Sequence, residues 1–255
     1  MGIGDVTLAK ENKVLVALSG VGHISLREGG LFKTGLFLSE LTEAVSALIA
    51  NDYTVVFANP NGLKPAIDPS SDSAKWFANE LEFKNAKEQL LAQKGFEAPR
   101  RFDSFKDDEL DTFSGIFVPG GYAPMEDLPA DAALGKIFNF FHAKGRPTAL
   151  ICHGPIALLA QKAFAPNSAW AYAGYNLTIV SKAEEKEEED AGHLGGHQLY
   201  FVEEALRNAK ADVVVAKPWS SHVVKDREVI TGQNPMSAKA LVAAFLNELR
   251  KIHSL

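Results

Sequence analysis

Cysteine is the scarcest residue of this chain, with one, Cys152, among 255. A lone cysteine excludes an internal disulfide, so the fold owes nothing to oxidation, and a reducing cytoplasm is the expected setting. Positive charge is not in excess either. The formal net charge of -6 argues against a nucleic-acid partner or an anionic membrane surface. No apolar run approaches the roughly 20 residues of a membrane span. The short, polar, acidic N-terminus lacks the basic start and apolar stretch of a secretory leader. No G-x-x-x-x-G-K-[ST] loop is present, so phosphate cradling of that kind is not expected. With 46% hydrophobic and 23% charged residues, the chain reads as a soluble globular protein long enough to bury a sizeable core.

Short apolar runs alternate with helical patterns, the signature of βαβ units around a parallel sheet. Strands are expected at 14–18, 53–58, 115–118 and 147–151, and helices over 36–50, 74–93, 130–143 and from 156 to 163. Further strands are expected at 177–180, 212–216, 221–224 and 228–230, before a final helix over 235–251. The polar stretch 64–111 reads as an excursion over the sheet edge. The whole chain, 1–255, is expected to form one domain.

Cys152 stands in Ala149-Leu-Ile-Cys-His-Gly-Pro155, where a strand should end and a helix begin. A buried lone cysteine is ordinarily a small hydrophobe. At a strand-to-helix turn it is instead forced into the open beside backbone N–H groups, which should ease its ionisation. A catalytic thiolate also needs oxyanion donors and a proton acceptor. Gly120 and Gly121, after the 115–118 strand, offer backbone N–H groups that could join that of His153; a simple tight turn is the bland alternative. Glu40 sits among apolar residues on the first helix. It is either a surface glutamate or one lodged near the thiol with a raised pKa. His153 is either a base or a structural histidine, since adjacent side chains diverge at a sharp turn. His193 and His197 are four apart, but Gly192, Gly195 and Gly196 make a poor helix there, so no metal site is expected. The run 184–190 reads as a solvated acidic face. Trp76, Trp170 and Trp219 read as packing residues.

Four blocks, in order, resemble the ThiJ/PfpI superfamily, whose fold is that of the class I glutamine amidotransferases. They are Lys33-Thr-Gly with Glu40-Leu41, Phe117-Val-Pro-Gly-Gly121 with Asp127-Leu128, Ile151-Cys-His-Gly-Pro155, and Ile230-Thr-Gly-Gln-Asn-Pro235 with Ser237-Ala238-Lys239. The last block and the long insertion resemble the branch containing heat-shock protein 31 and glutathione-independent glyoxalases. The resemblance implies an α/β, flavodoxin-like three-layer sandwich, mostly parallel, with helices on both faces and a small insertion near 64–111. It also implies Cys152 as nucleophile, Glu40 beside the thiol, His153 as its histidine, and an oxyanion hole from the backbone of Gly121 and His153. An acid orienting the histidine falls in Glu184-Glu185, with Glu185 preferred. Gly120 and Tyr122 would line the substrate pocket.

One departure stands out: the family's Gly-Gly-His-Gly reads Gly120-Gly-Tyr-Ala123 here. Backbone donors survive this change, while substrate scope does not follow from the resemblance. The activity implied is a cofactor-free, metal-free conversion of methylglyoxal to lactate, or the related repair of glycated amines and thiols. Its substrate would be a small reactive carbonyl, and the protein would form a homodimer. Two other classes compete: a stress-response holding chaperone or thiol redox sensor, and a cysteine peptidase or amidase. For the last, His193, His197 and His222 are the downstream histidines, and none has a glutamate two residues on.

Overall fold

The structure is a computed structural model that describes residues 12–253. Most of the N-terminal stretch read as leaderless therefore lies outside the described residues. The chain opens with β1 (Lys13–Ala17), whose Val-Leu-Val-Ala run is buried on both faces, as a central parallel strand requires. A hairpin follows, β2 (His23–Ser25) and β3 (Leu31–Lys33), then α1 (Leu38–Ala50) and β4 (Thr54–Asn59). The 64–111 stretch holds 3-10 turns at Ala74–Trp76 and Phe102–Ser104, with α2 (Glu80–Leu91), β5 (Arg100–Arg101) and α3 (Asp107–Leu110). Next come β6 (Phe113–Val118), α4 (Pro124–Asp127), α5 (Ala132–Ala143) and β7 (Thr148–Ile151). After the 3-10 segment Gly154–Leu159 the chain forms α6 (Ala160–Phe164), β8 (Asn176–Leu177), α7 (Lys182–Asp190), α8 (Val202–Asn208) and β9 (Asp212–Val213). It ends with β10 (Val223–Asp226), β11 (Val229–Gly232) and α9 (Ala238–His253).

Seven strands form the main sheet in the order β10-β11-β7-β6-β1-β4-β5. Every pair is parallel except the β10–β11 hairpin. Helices α1 and α9 pack together against one face, and α5 and α6 pack together elsewhere around the sheet. The α/β architecture and the mostly parallel sheet are as expected. The chain crosses from β1 to β4 on one side and then returns to β6 on the other. Strand order reverses there, and open α/β sheets bind ligands in the crevice at the carboxyl ends of such strands.

Several element boundaries differ from expectation for local reasons. The 74–93 helix is broken because Ser73 caps the 3-10 turn, and Asn79 starts a new helix by accepting the N–H of Glu82. The 177–180 strand stops at Leu177. Thr178 N–H donates to the Thr231 hydroxyl and Val180 N–H to the Cys152 carbonyl, which peels the chain away from ladder pairing. The 212–216 strand shortens with it, and the β8–β9 pair stands apart from the main sheet. The expected strands at 221–224 and 228–230 form β10 and β11, shifted by the turn at Arg227, which has φ +54°. The β2–β3 hairpin and α8 were not anticipated. Three-residue strands are too short to show a period, whereas Val202, Ala205 and Leu206 carry a helical one.

Gly135 of α5 marks how closely its helix approaches α6. A Cβ there would stand 2.0 Å from the carbonyl oxygen of Ala160. Gly135→Ala should overpack that contact and lower stability by about 1–3 kcal/mol, read as a reduced urea midpoint at unchanged slope.

Candidate active site

Strand β7 delivers Cys152 to a left-handed backbone conformation, φ +59°, that costs energy for a residue with a side chain. Its backbone is pinned on both sides: Cys152 N–H donates to Gly232 O, and its carbonyl accepts from Val180 N–H. The side chain therefore stands above the sheet between the β6 loop and the 3-10 segment. The N–H groups of Gly121 and His153 stand near the sulfur and favour its charged form. Gly121 reaches this position at φ +84°, where a Cβ would lie 2.0 Å from Gly35 O. Only glycine lets the β6 loop come that close.

Burial reverses one expectation. Cys152 is 6% exposed, and burial, followed by the charges of Glu40 and Glu184, pushes its thiol well above the ordinary cysteine value. The Gly121 and His153 N–H groups pull the other way without prevailing. The short 3-10 segment that follows cannot offset the loss of solvent.

Glu40, on the first turn of α1, is 0% exposed. Its Oε2 accepts the Gly120 N–H at 2.8 Å, and its carboxyl interacts with the thiol. Burial pushes this carboxyl up to about 8, against the pull of those two hydrogen bonds. Glu40 and Cys152 together accommodate at most one negative charge near neutrality.

His153 does not diverge from the thiol as the sharp turn suggested. Its Nδ1 lies 3.4 Å from Cys152 Sγ, and its Nε2 stands 3.3 Å from Glu185 Oε1. The left-handed twist at Cys152 swings the two neighbouring side chains together. Burial pushes the imidazole down to about 3, so it is neutral. The Tyr122 ring packs over it, centroids 4.3 Å apart, and meets Phe32 edge-on at 5.8 Å.

The acidic run is a helix, α7, rather than a uniformly solvated face, because Glu184 and Glu185 are both buried. The two have different environments. Glu184 closes a capping box with Ser181 and accepts from Gln233 Nε2, Asn234 Nδ2 and the Trp219 N–H. Only Glu185 faces the histidine. The Ser181-Lys-Ala-Glu184 spacing was the signal that could have separated them, since the third helical residue of such a box reaches back to the cap.

A cavity of about 620 Å³ opens over the thiol. Gly121, Tyr122, Cys152, His153, Glu184 and Glu185 contribute to its wall, while Gly120 sits behind it as the donor to Glu40. Two of the tryptophans expected to be packing residues, Trp76 and Trp219, line it instead; only Trp170 is buried. They are brought there by the insertion and by a turn with φ +59° at Trp219. Asp68 is a lining residue that sequence reasoning missed. It is buried where the insertion pairs Ile67 with Leu36, and it accepts from the hydroxyls of Thr34 and Ser70. His193 lines the cavity mouth paired with Glu188, whereas His197 pairs with Glu28 on the hairpin.

Three relatives give this geometry a context. The chain is 29% identical over 129 residues to the protein/nucleic acid deglycase HchA of Escherichia coli, covering 51% of this chain and 44% of that one. The chain thus spans less than half the length of that relative. It is 25% identical over 248 residues to HchA of Pseudomonas aeruginosa, covering 91% of this chain and 82% of that one. The structure of glyoxalase III from Candida albicans superposes with a TM-score of 0.76 at 21% identity, covering 94% and 98% of the two chains, and shows the shared fold. Residues 31–248 match the DJ-1/PfpI family, to which this chain belongs.

Proposed function

We propose that the protein is a glutathione-independent glyoxalase that converts an α-ketoaldehyde to the hydroxy acid with no cofactor. The observation that carries this reading is a strained, buried thiol meeting two backbone N–H groups, a histidine nitrogen and a carboxyl that titrates at about 8.

In the mechanism, the Cys152–Glu40 pair carries one proton, and the reactive arrangement has it on Glu40. The thiolate adds to the aldehyde carbon of methylglyoxal. The developing oxyanion meets the Gly121 and His153 N–H groups, and Glu40 supplies the proton that makes the hemithioacetal neutral. Glu40, now a carboxylate, takes the hydrogen from the former aldehyde carbon. The C2 oxygen becomes an enediolate. Glu40 returns the proton to C2, while the hydroxyl proton of C1 passes to the C2 oxygen through His153. The product on sulfur is a lactoyl thioester, and water hydrolyses it to lactate and restores the thiol. A carboxyl titrating close to the working pH suits a group that must both give and take a proton.

A second reading shares the chemistry. The 620 Å³ cavity, walled by Trp76, Trp219, Tyr122 and Phe37, has room for more than a three-carbon dicarbonyl. That supports carbonyl adducts of amines or thiols as substrates, in keeping with the deglycase name of the relatives.

Lactate formed from methylglyoxal without glutathione should be abolished in Cys152→Ala. It should fall about 10²–10⁴-fold in Glu40→Gln, the usual loss for a missing acid–base group. Lactate production by Cys152→Ala at the wild-type rate would defeat the reading. Turnover in the wild type should rise with pH toward about 8 as the pair loses its first proton. Stability should move the opposite way. The folded state holds the Glu40 proton up to about 8, whereas the unfolded chain releases it near 4.5. This contribution is complete below 4.5 and is lost as pH climbs to about 8. Denaturant titrations across that range should show Glu40→Gln gaining on the wild type as pH rises.

A further inference from the structure

We propose that Tyr122 is a further catalytic residue of this site, its phenol donating a hydrogen bond to the second oxygen of the dicarbonyl. That oxygen carries the enediolate charge, and it needs a donor of its own. The Gly121 and His153 N–H groups serve the oxygen on the carbon bound to sulfur. Tyr122 is also where this chain departs from the family's Gly-Gly-His-Gly.

The other hydroxyl, amide and indole donors on the cavity wall are already spent. The Ser70 hydroxyl donates to Asp68 Oδ1 at 2.6 Å, Trp76 Nε1 to Ser70 O at 2.9 Å, and Trp219 Nε1 to Glu187 Oε2 at 2.5 Å. The Asn234 amide donates to Glu184 Oε1 at 2.7 Å and to Ser220 O at 2.9 Å. Lys33 and Lys75 reach the cavity from exposed positions, Lys75 with its ammonium over the Trp76 ring at 4.8 Å. Elsewhere in the fold, tyrosine hydroxyls are committed to protein: Tyr200 donates to Met125 O at 2.6 Å, Tyr172 to Phe138 O at 3.3 Å and Tyr175 to Glu228 at 3.1 Å. The Tyr122 hydroxyl has no hydrogen-bond partner among the described residues, and it is not sealed in protein either. A largely buried phenol ordinarily finds a partner. One left open on a cavity wall beside a thiol is free to meet what enters.

The ring that carries this hydroxyl is held on several sides. It packs over the His153 imidazole with centroids 4.3 Å apart, and Phe32 of β3 meets it edge-on at 5.8 Å. Its own carbonyl accepts the Met125 N–H at 3.0 Å, which fixes the backbone just after the Gly121 turn. The same imidazole brings Nδ1 to 3.4 Å from Cys152 Sγ, so phenol and thiol flank one histidine. A donor fixed in advance, in a site with little water, is the arrangement that stabilises a developing oxyanion. Burial, reinforced by the surrounding negative charge, pushes the phenol well above its ordinary value. Tyr122 therefore keeps its proton throughout and lends only a hydrogen bond. The transfers through Glu40 and His153 balance without it.

The role given to Tyr122 rests on the glyoxalase reading, so its test has two arms. In the first, an aldehyde protects Cys152 from iodoacetamide by adding reversibly to the thiol. Methylglyoxal carries the second oxygen, and propanal does not. Tyr122→Phe keeps the ring and removes the hydroxyl. It should raise the half-protecting concentration of methylglyoxal about 10-fold, the effect of one lost hydrogen bond, and shift that of propanal much less. A tyrosine that only packs would weaken both aldehydes equally or neither, and either result would overturn the proposal. In the second arm, kcat for lactate formation should fall about 10²–10³-fold in Tyr122→Phe, the usual loss when an oxyanion donor is removed. Retention of the wild-type kcat would equally overturn it. Should the wild type form no lactate, the glyoxalase reading fails by itself, while the protection ratio still reports whether the phenol binds the second oxygen.

Discussion

Cys152 and Glu40 compete for one proton in a place where neither is solvated, and the rest of the site is arranged around that competition. Two negative charges in contact and out of water repel strongly, so the pair resists full ionisation. Each surrounding group shifts the balance. The Gly120 N–H draws charge toward the carboxyl, and the Gly121 and His153 N–H groups draw it toward the sulfur. His153 stays neutral because it too is buried. In the mechanism proposed, reactivity does not come from a freely ionised thiol but from a proton that moves a short distance between two poor acids.

The fold supplies this arrangement by bringing four segments to the carboxyl edge of one sheet. β7 carries the thiol, the β6 loop carries two of the backbone donors, α1 carries Glu40, and α7 carries Glu185. Glu184 joins the last of these to the Gly232–Pro235 region through Gln233 and Asn234. Adjacent glutamates on one helix turn therefore divide the work: one ties the scaffold together, and its neighbour faces the histidine.

Much of this was legible in the sequence, and what was not has physical causes. The turn at Cys152 showed as a strand running into His-Gly-Pro, and the sheet showed in its apolar runs. The ionisation of the thiol did not. It depends on burial by the 121–122 loop and on a carboxyl more than a hundred residues away, neither of which local sequence encodes. Asp68, Trp76 and Trp219 reach the cavity through a polar insertion and a left-handed turn, where no periodicity marks a functional residue. The Glu184–Glu185 choice was legible in principle, through the capping spacing that begins at Ser181. The approach of His153 to the thiol was not legible, because adjacent side chains at a sharp turn ordinarily diverge, whereas positive φ at Cys152 brings these two together.

Because the chain holds one cysteine, its thiolate absorbance in the ultraviolet reports this site alone. Titrating that absorbance in the wild type and in Glu40→Gln tests the shared proton most directly. The account predicts a wild-type signal spread over two steps, as coupled groups give, and a single step at lower pH once the competing carboxylate is gone. Superimposable curves from the two proteins would contradict it.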